Sequence, residues 1–164
     1  SVSVAPSPTA RPTPSRTPIA APVRPPEMER SDEVGAVAAA EYFMELFSYA
    51  FRSGDLTEWT AVSAQDCSFC ANVRADVEAA YLPGGAYRGG AFSLGTAEVV
   101  AYDPAIGVYT ASVAFTIGAY EVVDGSGGLV RTIEAEADTA LLDVIYTAGG
   151  WTLLGGMPRP SESS

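Results

Sequence analysis

Residues 31–70 run SDEVGAVAAAEYFMELFSYAFRSGDLTEWTAVSAQDCSFC. At about 100° per residue, Ala36, Ala39, Ala40, Phe43, Met44, Leu46, Phe47, Ala50 and Phe51 share one broad arc, with Glu41, Glu45, Ser48 and Arg52 opposite. This spacing predicts one long helix with a single buried side. Ser31 is the expected N-cap, and Asp32 and Glu33 put negative charge at the positive end of the helix dipole. Gly54 suits the left-handed position that ends such a helix. Asp55 and Glu58 match a D-x-x-E capping box that opens a short second helix, with Leu56, Trp59 and Val62 on its inner side. A third helix is expected over about residues 68–82, burying Cys70, Val73, Val77 and Tyr81 and ending at Pro83-Gly84-Gly85.

Beyond that point the apolar period falls from near four to two. Residues 92–102 read as a strand, followed by the turn Asp103-Pro104-Ala105-Ile106-Gly107. Residues 108–123 alternate, with Tyr109, Ala111, Val113, Phe115, Ile117 and Ala119 on one face. Asp124-Gly125-Ser126-Gly127-Gly128 closes a hairpin onto a second long strand, residues 129–147. There the apolar set changes parity, from Ile133, Ala135 and Ala137 to Leu142, Val144 and Tyr146. A β-bulge is therefore expected between Asp138 and Leu141. Residues 151–154 supply a last short strand. The expected class is α+β: one long and two shorter N-terminal helices packed on a strongly curved antiparallel sheet of about four strands.

Residues 1–30 are dominated by Pro, Ser, Thr and Ala without an aromatic residue, a composition unable to offset ordering entropy by burial. They are expected to form a disordered, polyproline-like tether reaching up to about 80 Å, ahead of one domain over residues 31–157 and a disordered tail over 158–164. A chain that begins at Ser1 without Met is expected to be a trimmed mature form, a lipid-modified cysteine having preceded it, although an ordinary linker explains the same composition.

The net charge is −11, and the four Arg and four acidic residues up to Glu33 cancel, so the excess belongs to the domain. Such a surface repels phosphate backbones and anionic lipid, so neither nucleic acid nor direct membrane adsorption is expected. With no His, the commonest general base and metal ligand is missing; with no Lys, Schiff-base and P-loop chemistry are excluded. No cofactor and no metal are expected, and the oligomeric state is left open.

Cys67 and Cys70 form a C-x-x-C pair. Closed zinc coordination requires four ligands, and no other Cys or His exists. A disulfide bracing the second and third helices is the main reading; thiol–disulfide exchange and free thiols remain alternatives. Tyr42 and Tyr49 stand at the edge of the helix arc, with rings suited to burial and hydroxyls suited to a polar rim or cavity, and core-edge packing is their simplest role. Together with Tyr81, Tyr102 and Asp143 they are the candidate ligand-pocket residues. Tyr87 and Arg88, flanked by paired glycines, are candidate loop contacts or else part of a plain helix-to-strand connection. Glu134, Glu136 and Asp138 share one strand face, and read most simply as its solvated side.

One long helix, two shorter helices and long hairpins together resemble the nuclear transport factor 2-like cone fold. The aromatic helix ending in Ser53-Gly54-Asp55, the Asp66-Cys67-Ser68-Phe69-Cys70 segment and the doubled glycines of Tyr81-Leu82-Pro83-Gly84-Gly85-Ala86-Tyr87-Arg88-Gly89-Gly90 resemble the actinobacterial envelope lipoprotein family of unknown function numbered 6318. That resemblance implies an exported, lipid-anchored domain with no assigned activity. The leading expectation is a non-catalytic envelope module that binds a small apolar molecule or another envelope protein. The alternatives are an isomerase or dehydratase working with Tyr and carboxylate groups, and thiol–disulfide exchange at the cysteine pair.

Overall fold

A computed structural model describes residues 1–7 and 18–158. The expected long helix is α1, Glu33–Ser53, and it ends at Gly54 in the left-handed region with φ 78°. Its N-cap is Asp32 rather than Ser31. The Asp32 carboxylate accepts the Gly35 N–H at 3.2 Å and is also gripped by the Arg30 guanidinium, a charged double contact that a serine hydroxyl does not offer. Helix α2, Thr57–Val62, has Leu56 at its N-cap and so starts one residue later than a box capped by Asp55 implies. Asp55 accepts the Thr57 N–H at 3.0 Å, but Glu58 does not fold back; it faces the Tyr42 hydroxyl and Arg24 instead. Helix α3, Ser68–Tyr81, opens on Cys67, whose Sγ accepts the Cys70 N–H at 3.1 Å.

The described residues form seven strands: β1 Ala86–Gly89, β2 Phe92–Asp103, β3 Val108–Ile117, β4 Tyr120–Val123, β5 Leu129–Ile133, β6 Glu136–Thr147 and β7 Gly150–Pro158. They make two antiparallel sheets, β2-β3-β6-β7 and β1-β4-β5. The class is α+β as expected, but the second sheet was not. Helix α1 lies on the four-stranded sheet, burying Phe43, Leu46 and Ala50 against Ala111, Val113, Leu142, Val144 and Leu153. Burial of side chains this large is the main stabilising term, at about 1.5–3 kcal/mol for each fully buried Leu, Val or Phe.

The two long strands expected at 108–123 and 129–147 are each cut in two. β3 stops at Ile117 and β4 resumes at Tyr120 in the other sheet; β5 stops at Ile133 and β6 resumes at Glu136. Ile117 pairs with Glu136, and Tyr120 pairs with Ile133, so both strands of the ribbon break at one level. The parity change falls there, at Glu134 and Ala135. Between Asp138 and Leu141 no bulge exists, and the register with β3 is continuous. Ala135 and Ala137 are exposed, so these small residues carried no real burial signal.

Residues 26–30, counted with the tether by composition, belong to the folded unit. Pro26–Glu29 forms a 3₁₀ turn, and Met28 enters the core at 7% exposure. Residues 8–17 of the expected tether and 159–164 of the expected tail lie outside the described residues.

Candidate functional site

Three chain crossings line up along the boundary between the sheets. β1 passes to β2 through Gly90 and Ala91, β3 to β4 through Gly118 and Ala119, and β5 to β6 through Glu134 and Ala135. Gly90 donates its N–H to the Ala119 carbonyl at 3.1 Å, and Gly118 donates to the Ala91 carbonyl at 2.7 Å, stitching two crossings together. Gly89 and Gly90 both have positive φ, 86° and 73°, and a Cβ on Gly89 would stand 2.8 Å from the Ala119 oxygen. Only glycine takes this corner without strain.

The turn at the boundary leaves a gap under the C-terminal half of α1. A cavity of about 100 Å³ is lined by Phe47, Ser48, Phe51 and Arg52 from the helix and by Tyr87, Gly89, Gly90, Phe92, Ile117, Tyr120 and Glu136 from the crossings. Its walls are an aromatic chain. Phe51 meets Phe47 at 4.9 Å and the edge of Tyr87 at 5.1 Å, and Tyr87 meets Tyr120 at 5.8 Å. Burial pushes the phenols of Tyr87 and Tyr120 above their ordinary pKa, so both are neutral hydrogen-bonding groups at physiological pH. Arg52 and Glu136 are exposed and bring opposite charges to the rim.

None of the five residues expected to share a pocket lines this cavity, whereas Tyr87, a candidate loop contact, does. Tyr42 is buried at 4% and donates to Glu58 at 3.2 Å, and Tyr49 donates to Asp55 at 3.1 Å. The Tyr81 hydroxyl donates to the Phe51 carbonyl at 2.7 Å, bracing the cavity wall from behind. Tyr102 is half exposed and stacks on Tyr109 at 4.2 Å, while Asp143 accepts from Thr110 at 2.6 Å on the outer sheet face. These five do not converge. Arg88 is exposed on β1, opposite Glu121 in register. Glu136, read as part of a solvated ladder, sits at the rim because β6 begins there. The apolar alternation carried to Ala119 lapses at Tyr120 and Glu121, and that lapse was the available sequence signal for this corner.

Cys67 and Cys70 are joined in a disulfide with Cα atoms 5.3 Å apart, exposed only 2% and 4%. The Trp59 indole N–H donates to the Cys70 carbonyl at 3.1 Å, so the bridge is packed between α2 and α3. Exchange chemistry requires an accessible sulfur, which this burial does not provide.

The isomerase alternative asked for a carboxylate and a phenol around one cavity, and Glu136 with Tyr87 and Tyr120 supplies those types. The space, however, is close to that of three waters at roughly 30 Å³ each, and well below the ~300 Å³ at which substrate pockets begin. It fits one aliphatic side chain or a single ring entering from the open side. Among the described residues no three His, Cys, Asp or Glu side chains gather as a metal site, and no helix is long and apolar enough to cross a membrane.

Among solved structures, the intermembrane space region of the chloroplast protein ARC6 is 16% identical, with 80% of this chain and 99% of that chain covered at a TM-score of 0.56. An uncharacterized protein with a cystatin-like fold from Caulobacter vibrioides is 15% identical over 76% and 90% of the two chains, with a TM-score of 0.48. Aln2 from a Streptomyces species is 12% identical over 73% and 86%, with a TM-score of 0.44. The likeness to the ARC6 region is one of fold. No curated protein matches the chain. The model of a family of unknown function, DUF6318, matches residues 11–156, most of the chain and every element around the cavity, and the protein belongs to that family.

Proposed function

We propose that the protein is an exported, non-catalytic binding module of the cell envelope that takes a small apolar group, carried by a partner protein or a small molecule, into the cavity between its sheets. The carrying observation is the aromatic cavity itself, whose walls come from α1 and all three crossings. Its apolar lining favours burial of an aliphatic or aromatic group at about 25 cal/mol per Å². The absence of His and Lys from the sequence supports a binding role over a catalytic one.

An extracytoplasmic location is supported by the disulfide, which persists in oxidising compartments. The same fold serves in an intermembrane space region of a chloroplast protein. The proline-rich N-terminus suits a spacer, and anchoring through lipid upstream of Ser1 is part of the same proposal. Nuclear magnetic resonance titration with benzene should shift the amides of Phe51, Tyr87, Ile117 and Tyr120 together. Uniform small shifts across the surface, with no saturation at those four, would sink the cavity reading. Cell fractionation with thiol trapping tests the compartment: a native pool in the cytoplasm with both cysteines reduced would end it.

A further inference from the structure

Residues 18–30 do not leave the domain at the start of α1; they return along the outer side of that helix. The Arg30 carbonyl accepts from the Trp151 indole at 3.0 Å. Farther upstream, the Arg24 guanidinium pairs with Glu58, with Nε 3.1 Å from Oε1, and lies 5.7 Å from the centre of the Tyr42 ring. Ile19, Ala20 and Pro22 reach the other end of the helix, where they line a groove of about 240 Å³ with Glu45, Ser48, Tyr49, Arg52 and Phe92. Ser48, Arg52 and Phe92 also line the cavity between the sheets, so the groove adjoins the cavity at the place a vestibule would take.

The covering explains a departure from the helical pattern. Ser48 falls on the polar arc yet is only 9% exposed. Burial likewise raises the carboxyls of Glu41 and Glu45, which belong to the same arc. The N-terminal segment thus lies beside the polar arc of helix α1 at Ser48, while Glu45 and Arg52 stay exposed.

We propose that residues 18–24 form a strap across the open side of the cavity, clasped by Arg24 on Glu58 and Tyr42, and that release of the strap admits the ligand; the ligand half of this rests on the function proposed above. The clasp is suited to release. Arg24 and Glu58 are 50% and 36% exposed, a setting in which ion pairs are weak. Pro18, Pro22, Pro25 and Pro26 lower the entropy lost on docking, so a weak clasp suffices to hold a stiff segment. The chain enters the groove at its Ile19 end, so any engagement of residues upstream lifts that end first and uncovers the vestibule while Trp151 holds Arg30.

The test uses full-length protein carrying Ser48→Cys and follows maleimide labelling of that thiol, with Ser112→Cys, 5% exposed on β3, as a buried reporter away from the strap. Adding Arg24→Ala and Ile19→Asp should speed labelling at position 48 by roughly fivefold to tenfold and leave position 112 unchanged. Benzene affinity should rise by a similar factor. An unchanged rate at position 48, or equal acceleration at both positions, overturns the strap. Faster labelling at position 48 alone, with benzene bound by neither form, establishes the strap and overturns the ligand reading.

Discussion

Trp151 on β7 donates its indole N–H to the Arg30 carbonyl at 3.0 Å, and the same oxygen lies 1.9 Å from where a Cβ on Gly35 would stand. The last strand, the first helical turn and the N-terminal segment thus meet at one backbone oxygen. Trp151→Phe keeps the ring packing but strands that carbonyl, and should cost about 1–2 kcal/mol in urea denaturation. Gly35→Ala meets backbone rather than a movable side chain, and should cost more than Trp151→Phe. Equal stability of Gly35→Ala and wild type would refute the close approach.

The disulfide closes a very short loop, so its removal has a small effect in the chain-entropy picture. Replacing both Cys67 and Cys70 by Ser should lower stability by about 2 kcal/mol while the far-ultraviolet circular dichroism stays native. Because both sulfurs are buried, mild reductant without denaturant should leave the bridge intact, as read by mass after alkylation. Rapid reduction of the native protein would revive exchange chemistry.

Asp32 gives stability that depends on acid. Hydrogen bonding from Arg30, and then from the Gly35 N–H, holds its carboxyl at about 2, below the ordinary 3.8. A carboxylate depressed on folding stabilises above its unfolded pKa, and that contribution is lost as the pH falls from near 3.8 through about 2. Urea midpoints of Asp32→Asn should therefore show less loss over this interval than the wild type. Parallel curves would remove the cap from the acid response.

Glu41 and Glu45 act with the opposite sign. Burial raises both carboxyls, and Glu45 is raised further by Glu41 one helical turn away. An acid raised on folding opposes the folded state at neutral pH and ceases to do so as it is protonated. Glu41→Gln should stabilise by about 0.2–0.5 kcal/mol at pH 7, with the gain vanishing in mild acid. A loss of stability at neutral pH would mean that Glu41 has a favourable partner.

Local pattern carried much of the architecture. The arc from Ala36 to Phe51, the stop at Gly54, the turn at Asp124 and the cysteine pair each depend on neighbours a few residues apart, and for that reason the sequence by itself determined three helices followed by antiparallel strands. What only the tertiary structure decided lies where distant segments meet. Neither the shared breaking level of β3–β4 and β5–β6 nor the gathering of Phe51, Tyr87, Ile117 and Tyr120 can be read from periodicity, since alternation records which side a residue faces but not which sheet receives it. The placing of Ser48 in one groove with Ile19 and Pro22 has the same origin: a helix's polar arc is polar toward water, and the sequence holds no local sign that another segment of the chain will come to lie beside it.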